Sequence, residues 1–244
     1  MKKKKFIFLI TCFNSGKFIY KNSLRLIKKI KKLKINYNIV FINDGSIDNT
    51  YSELKKIKSK NNNIQIISHK KNLGKSSVLK LALKKCSNDI VIFYDCDLPY
   101  FKYLTKLITL LKKGHKFVTI DRRAAKSKFN KSKLNLYQIS RFLISNLVNI
   151  IISYLITKNF KGDTQSGLKG FYINKKFRKQ KFISKKFFLD AEIISYFTSI
   201  NIKISSIPIN YKISKQSSIK ILDISNFIYL FELSKIIFFR INKS

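Results

Sequence analysis

The sequence predicts an α/β fold: a mostly parallel sheet flanked by helices, with an amphipathic helix as a C-terminal extension. Three observations carry this. Short runs rich in Ile, Phe and Val alternate with longer amphipathic segments through the first half of the chain, the rhythm of strand–helix–strand units. The short runs are apolar throughout, as strands covered on both faces are. Two of them, ending in INDGSIDNT and DIVIFYDCDLP, stop abruptly in carboxylates.

The first run, 6–12, follows MKKKK and superficially resembles a signal peptide. It is short, has no small-residue cleavage site, and meets Asn14-Ser15-Gly16 at once, so a buried strand is expected. Further strands are expected at 37–42, 64–67 and 90–94. Helices are expected between them at about 17–33, 49–60, 75–86 and 100–112, with Lys outside and Leu or Ile inside. After Asp121 the rhythm changes. A basic stretch, Arg122 to Lys133, leads into a long helix near 134–157. The loop FKGDTQSGLKGF follows, then a strand near 169–174, a helix near 190–199 and a strand near 202–211 containing Pro208. A final helix covers about 220–239, its apolar face interrupted by Asp223, Glu232 and Lys235. This divides the chain into a domain over 1–215, with halves at about 1–121 and 122–215, and a C-terminal helix over 216–244. The longest apolar stretch, Phe142 to Thr157, carries Ser145, Asn146, Asn149 and Ser153. It falls short of the ~20 apolar residues of a spanning helix, so no transmembrane helix is expected.

The chain has 244 residues, 45% of them hydrophobic, enough for one α/β domain with a full core. Its net charge of +39 implies attraction to a polyanion: nucleic acid, an anionic membrane or phosphorylated substrates. The lysines are dispersed along helix faces, and A- and T-rich codons would produce the same excess of Lys, Ile, Asn and Phe. No helix-turn-helix or aromatic-plus-basic RNA pattern accompanies the charge, and the carboxylate clusters would repel phosphates without a metal, so nucleic acid is not the expected partner. Cys12, Cys86 and Cys96 have neither metal-site nor disulfide spacing and read as reduced, buried thiols. With only two histidines, a His-rich metal site or a Ser-His-Asp triad is disfavoured.

In a parallel α/β sheet ligands bind beyond the carboxyl ends of the strands, where Asn14, Asp44 and Asp95 fall. Asp95 and Asp97 are hard oxygen donors that suit Mg²⁺ or Mn²⁺ on a diphosphate. Asp-x-Asp alone is equally a pair of solvated loop acids. What lifts it here is its place at the end of a buried strand in a chain with 12 acidic residues. Around Asp44, Gly45 permits a tight turn, and Ser46 or Asp48 could cap the following helix. NLGKSSV (72–78) could present backbone N–H groups and Lys75 to a phosphate, although its glycine spacing is not that of a P-loop.

In order, the chain shows TCFNS, INDGSIDNT, NLGKSSV, FYDCDLP, DTQSGLKGF, FFLDAE and IPINY. This series resembles family 2 glycosyltransferases of the Rossmann-like GT-A fold, and within them the dolichyl- and polyprenyl-phosphate glucosyl- and mannosyltransferases, over roughly residues 5 to 240. The resemblance implies that Asn14, Asn43, Asp44, Ser46 and Lys75 serve the nucleotide and diphosphate, and that Asp95 and Asp97 hold Mg²⁺ or Mn²⁺. It places Asp163, Thr164 and Gln165 on the sugar or acceptor side, with Asp163 positioning the acceptor. It gives Asp190 and Glu192 to binding the donor sugar or ordering the site. It sets Arg122, Arg123, Arg141 and Ser145 on a lipid phosphate. The chain departs from the family pattern at Thr11, Ser15 and Asn43, where Pro, Glu and Asp are usual, which bears on nucleotide choice more than on the reaction.

The expected reaction is inverting transfer of a hexose from a nucleotide sugar, UDP-glucose first among candidates, to polyprenyl phosphate, by a protein peripheral on the cytoplasmic face of the membrane. A phosphate monoester, with a second pKa of about 6, is already a nucleophile at neutral pH and needs cations more than a base. The broad apolar surface of the 134–157 helix beside a basic stretch fits an interfacial element. Transfer to a sugar hydroxyl of a surface polysaccharide is the alternative reaction, with Asp163 or Asp190 as base. A basic nucleic-acid-binding protein is the alternative of another class.

Overall fold

The computed structural model describes residues 5–86, 89–124, 128–129, 136–157, 160–211 and 225–241. The chain forms two compact units, Met1–Val118 with Gly167–Lys181, and Thr119–Ser166 with Phe182–Ser244.

In the first unit, β1 (Phe6–Cys12), β2 (Tyr37–Asp44), β3 (Ile64–His69) and β4 (Ile90–Asp95) alternate with α1 (Gly16–Lys32), α2 (Thr50–Lys58) and α3 (Lys75–Leu83). A 3-10 turn (Phe101–Tyr103) and α4 (Leu104–Lys112) follow, then β5 (Phe117–Asp121), within which the division into units falls. β7 (Leu168–Tyr172) and the short α6 (Lys175–Arg178) return to this unit. β1 runs parallel to β2 and β4, and β2 to β3, whereas β7 is antiparallel to β4. Within this unit the sheet order is β3-β2-β1-β4-β7, the mostly parallel sheet the alternation predicts. β1 is buried along nearly its whole length, which explains its unbroken apolar run. In α1, Ile19, Ser23, Leu26, Ile27 and Ile30 form the buried stripe, and Lys29, Lys31 and Lys32 lie in the last turn, where cations favour the helix dipole. Phe171 of β7 stacks on Phe117 at 5.4 Å and meets Phe93 edge-on at 5.2 Å.

In the second unit, β6 (Lys128–Phe129) pairs in parallel with β9 (Asn210–Tyr211), and β8 (Ile204–Pro208) precedes β9. α5 (Leu136–Leu155), α7 (Leu189–Ser199) and α8 (Ser225–Ile241) share a core of Ile152, Ile156, Phe188, Ala191, Leu233 and Ile236. One face of α5 is apolar and open: Ile139, Leu143, Leu147, Ile150 and Tyr154, three or four residues apart, are each more than 40% exposed. No helix among the described residues is long and apolar enough to cross a membrane.

The expected strand at 202–211 is two strands, broken at Ile209 after Pro208, which lacks the N–H to continue a ladder. The final helix begins at Ser225; its expected start at 220–224, including Asp223, lies outside the described residues. Three elements, β5, β6 and α6, were not expected.

Gly45 shows how tightly the sheet edge is built. It has φ 71°, and a Cβ there would stand 2.4 Å from the Lys71 carbonyl carbon and 2.5 Å from the Asn72 nitrogen. Gly45→Ala therefore faces both a strained conformation and a backbone clash. It is expected to lower unfolding free energy by about 2 kcal/mol or more in urea denaturation.

Candidate active site

Register sets the first cluster. Thr11 pairs with Asp95, Cys12 with Asn43, and Asp44 with His69, so the carboxyl ends of four parallel strands form one edge. The loops leaving that edge are laced together. Ser46 Oγ accepts from Asn14 N at 2.9 Å, and Asn14 Oδ1 from Ile47 N at 3.0 Å. Asp48 caps two helices at once: Oδ2 accepts from Gly16 N at 2.9 Å and Oδ1 from Thr50 N at 3.0 Å. Asn14 adopts the left-handed region at φ 47°, which Asn tolerates better than most residues.

Asp44 and Asn43 tie the end of β2 to the loops around it. Both are buried. Asp44 accepts from Leu73 N at 2.7 Å and Gly74 N at 3.0 Å. Asn43 donates to Ser68 Oγ at 2.9 Å and accepts from Ser46 N at 3.2 Å. They hold the 72–74 loop and the Gly45–Ser46 turn, and thereby aim Lys75 at the start of α3.

Lys75 bonds Asp95. Asp95 N donates to Gly167 O at 3.2 Å, and a Cβ on Gly167 would lie 2.5 Å from Asp95 Oδ2. Gly167, to which the sequence assigned no role, is thus the residue that lets the Asp95 carboxylate pass. Asn22 Nδ2 holds the Cys96 carbonyl at 3.0 Å. Beyond it, Leu98 and Tyr100 take φ 54° and 58°, a strained turn of the kind that clusters at functional sites. Asp97 is exposed, but the protein around its carboxyl desolvates it, and the like charge of Asp95 adds to that; both push its pKa up.

The donor set fits a hard divalent cation. Two carboxylates at one strand end repel each other, and the Lys75 ammonium already stands on Asp95 as a positive counter-charge. No group of three or more His, Cys, Asp or Glu side chains gathers among the described residues. One or two carboxylates with water and substrate phosphate are the usual set for Mg²⁺. His69, also unremarked in the sequence, closes β3 on the same edge with a buried Nε2 that has no acceptor among the described residues. A lone histidine without a motif offers no signal from which to find it.

The second unit brings together another expected group. Asp163 is fully buried and bonds both Arg122 and Arg123, the latter at 2.9 Å. Arg122 Nη2 adds a bond at 3.0 Å, and Gln165 N donates to Oδ1 at 3.1 Å. Arg123 Nη2 donates to Ser145 Oγ at 2.9 Å. Burial alone would push the Asp163 carboxyl up, but the charge and hydrogen bonds of Arg122, then the charge of Arg123, outweigh it and hold it below the usual carboxylate range. Asp163 thus organises two arginines. Asn149 ties α5 to the same loop, accepting from Thr164 N at 3.0 Å and donating to Gly162 O at 3.2 Å. The Gln165 Nε2 is buried without an acceptor among the described residues. Arg141 lies in α5, and its side chain is outside the described residues.

Glu192 anchors the segment ahead of α7. It is fully buried, with Oε1 accepting from Ile183 N at 3.0 Å and Oε2 from Ser184 N at 2.8 Å. Glu192→Ala is expected to destabilise the fold by about 2 kcal/mol, from two stranded amides, while leaving the donor KM unchanged. Asp190 is buried in the first turn of α7, where a negative charge suits the helix N-terminus. Cys12 and Cys86 are buried and all three cysteines free, as expected, but Cys96 is half-buried.

Among solved structures, glucosyl-3-phosphoglycerate synthase from Mycobacterium tuberculosis in complex with UDP superposes with a TM-score of 0.62 at 16% identity. The match covers 96% of this chain and 80% of that one, and it shows the shared α/β GT-A-like fold. Among curated proteins, CsbB of Bacillus subtilis, a glycosyltransferase by name, is 29% identical over 136 residues, 55% of this chain and 41% of its own. The poly-beta-1,6-N-acetyl-D-glucosamine synthase of Staphylococcus aureus is 36% identical over 90 residues, 37% of this chain and 21% of its own. The chain thus spans less than half the length of these relatives. The family model for glycosyl transferase family 2 matches residues 7–167, from β1 through the Asp95–Asp97 turn to the Asp163 loop; the chain belongs to glycosyl transferase family 2.

Proposed function

We propose that the protein transfers a hexose from a nucleotide sugar to polyprenyl phosphate at the cytoplasmic face of a membrane, with inversion at the anomeric carbon. The observation that carries this reading is the Asp95–Asp97 pair at the carboxyl end of β4, with Lys75 aimed at it by the Asp44-anchored loop. Asp95 and Asp97 would hold Mg²⁺ or Mn²⁺. When bound, the cation would neutralise charge on the departing diphosphate. Lys75 adds a second positive charge for the same phosphates. The Mycobacterium tuberculosis fold relative was solved with Mn²⁺ and UDP-glucose, which makes that pair the first donor to test.

For the acceptor, an oxygen of the lipid phosphate attacks the anomeric carbon, and the bond to the diphosphate breaks with its electron pair leaving on the nucleoside diphosphate. The phosphate arrives already ionised, so no base is required. Arg122 and Arg123, both paired with Asp163, bring two guanidinium groups together for an anionic acceptor. Gln165 Nε2 supplies a hydrogen-bond donor in want of an acceptor. The open apolar stripe of α5 and the basic surface support work at an anionic membrane.

Transfer to a sugar hydroxyl is the second reading, favoured by the similarity to a polysaccharide synthase. It needs a general base, and Asp163, held ionised by two arginines, is a weak one. The test is transfer of radiolabel from UDP-glucose, GDP-mannose and UDP-N-acetylglucosamine to undecaprenyl phosphate, with Mn²⁺ or EDTA. Solvent-extractable label from one donor, abolished by EDTA, is expected. Label confined to water-soluble glycan would establish the hydroxyl acceptor instead. Salt-sensitive nucleic-acid binding that ignores Asp95→Ala, with no transfer, would favour a nucleic-acid-binding protein.

A further inference from the structure

We propose that Cys12 and Cys96 form an oxidisable thiol pair, closed to a disulfide by a peroxide, and that closing it disables the cation site between whose carboxylates Cys96 sits. The second half of this rests on the reading of Asp95 and Asp97 given above. The first half rests on placement alone. Thr11 of β1 is in register with Asp95, the last residue of β4, so Cys12 and Cys96 each directly follow a paired position. Neighbouring strands run about 4.8 Å apart, inside the roughly 4.4–6.8 Å between Cα atoms that a disulfide spans. In the reduced protein Cys12 Sγ donates to the Ile10 carbonyl at 3.7 Å and Cys96 Sγ pairs with Ser15 Oγ, so closure exchanges both contacts for the sulfur–sulfur bond.

Their exposures differ in the way a peroxide reaction needs. Cys96 is half-buried and Cys12 buried. A peroxide reaches Cys96 first, transfers an oxygen and gives the sulfenic acid and water. The Cys12 sulfur then attacks the Cys96 sulfur, and the hydroxyl leaves with the thiol proton as a second water. Two thiols are oxidised and one peroxide is reduced. Cys86 has no such partner: it is buried, donates to Ala82 O at 3.5 Å, and burial pushes its thiol up to about 12.

Closure has a structural consequence at the site. Cys96 Sγ now stands 3.1 Å from Ser15 Oγ. Pulling it to Cys12 draws the peptide between Asp95 and Asp97 towards β1 and moves both carboxylates from the geometry a divalent cation needs. Ser15 is also where this chain departs from the family's usual Glu, which places a small hydroxyl rather than a carboxylate beside the Cys96 thiol.

The experiment treats the full chain with hydrogen peroxide, maps the thiols by peptide mass spectrometry, and titrates Mn²⁺ before and after. The expected result is a loss of two hydrogens mapped to a Cys12–Cys96 peptide, a fall in Mn²⁺ affinity of about tenfold or more, and recovery with dithiothreitol. Cys86→Ser retains the cross-link; Cys12→Ala and Cys96→Ser each lose it, so failure of one variant to fold still leaves the other. Thiols that stay free, that oxidise separately, or that cross-link without changing Mn²⁺ affinity overturn the proposal. If the reduced protein binds no Mn²⁺, the reading of the cation site fails, while the mapped cross-link still decides the thiol pair.

Discussion

Asp97→Ala is expected to abolish sugar transfer and leave the fold intact. The residue is exposed at the end of β4, and its carboxyl is disfavoured as an anion by partial desolvation and by Asp95. Removing it relieves repulsion, so unfolding free energy should change by no more than about 0.5 kcal/mol. Catalysis should respond very differently. Losing one of the two carboxylates proposed to hold the cation should lower kcat by roughly a thousandfold, about 4 kcal/mol of transition-state stabilisation. Steady-state kinetics and urea denaturation on the same preparation separate the two effects. A variant with full activity would remove Asp97 from the site.

Asp163→Ala should do the opposite, costing the fold most. Its carboxylate is wholly buried and carries the charges of Arg122 and Arg123 together with the Gln165 amide. Taking it away leaves two like-charged guanidinium groups facing a cavity. Breaking a buried pair in this way costs about 3–5 kcal/mol, with the lower end expected here because both arginines keep some contact with water. The pH dependence follows with a definite sign. A carboxyl held below its ordinary value contributes stability that is present in full above the unfolded pKa, near 3.9. That contribution is lost as pH falls through the lower folded value. Urea midpoints of the wild type should therefore fall more steeply at acid pH than those of Asp163→Ala. Equal slopes would show that the arginine pairing stabilises nothing.

Local pattern was sufficient for most of the fold. β1 was expected and found at 6–12, and β2 and β4 extend past their expected ends by two residues and one, into Asp44 and Asp95. There the apolar run stops but the ladder does not. β5 escaped notice because FVTID is five residues long and sits between the basic end of α4 and the Arg122-Arg123 pair. The antiparallel insertion of β7 beside β4 has no local signature, since pairing across more than 70 positions is set by the packed sheet.

For the site, residue type was legible and partnership was not. Asp44, Asp163 and Glu192 are acids near loops, which is how ligand-binding carboxylates appear in sequence. Each proves to be bound to groups of its own chain: Asp44 and Glu192 to backbone amides, Asp163 to arginines and an amide. The same hydrogen-bond capacity serves either purpose. Gly167 could not be found from sequence as the residue that makes room for Asp95.

The most direct test of the central claim is calorimetric titration of UDP into the wild-type protein and the Asp97→Ala variant, with Mn²⁺ and with EDTA. If Asp95 and Asp97 hold a divalent cation on a nucleotide diphosphate, UDP binds the wild type with Mn²⁺ and weakens sharply in EDTA, while the variant binds weakly in both. UDP affinity that is the same with Mn²⁺ and EDTA, and the same in wild type and variant, would contradict it.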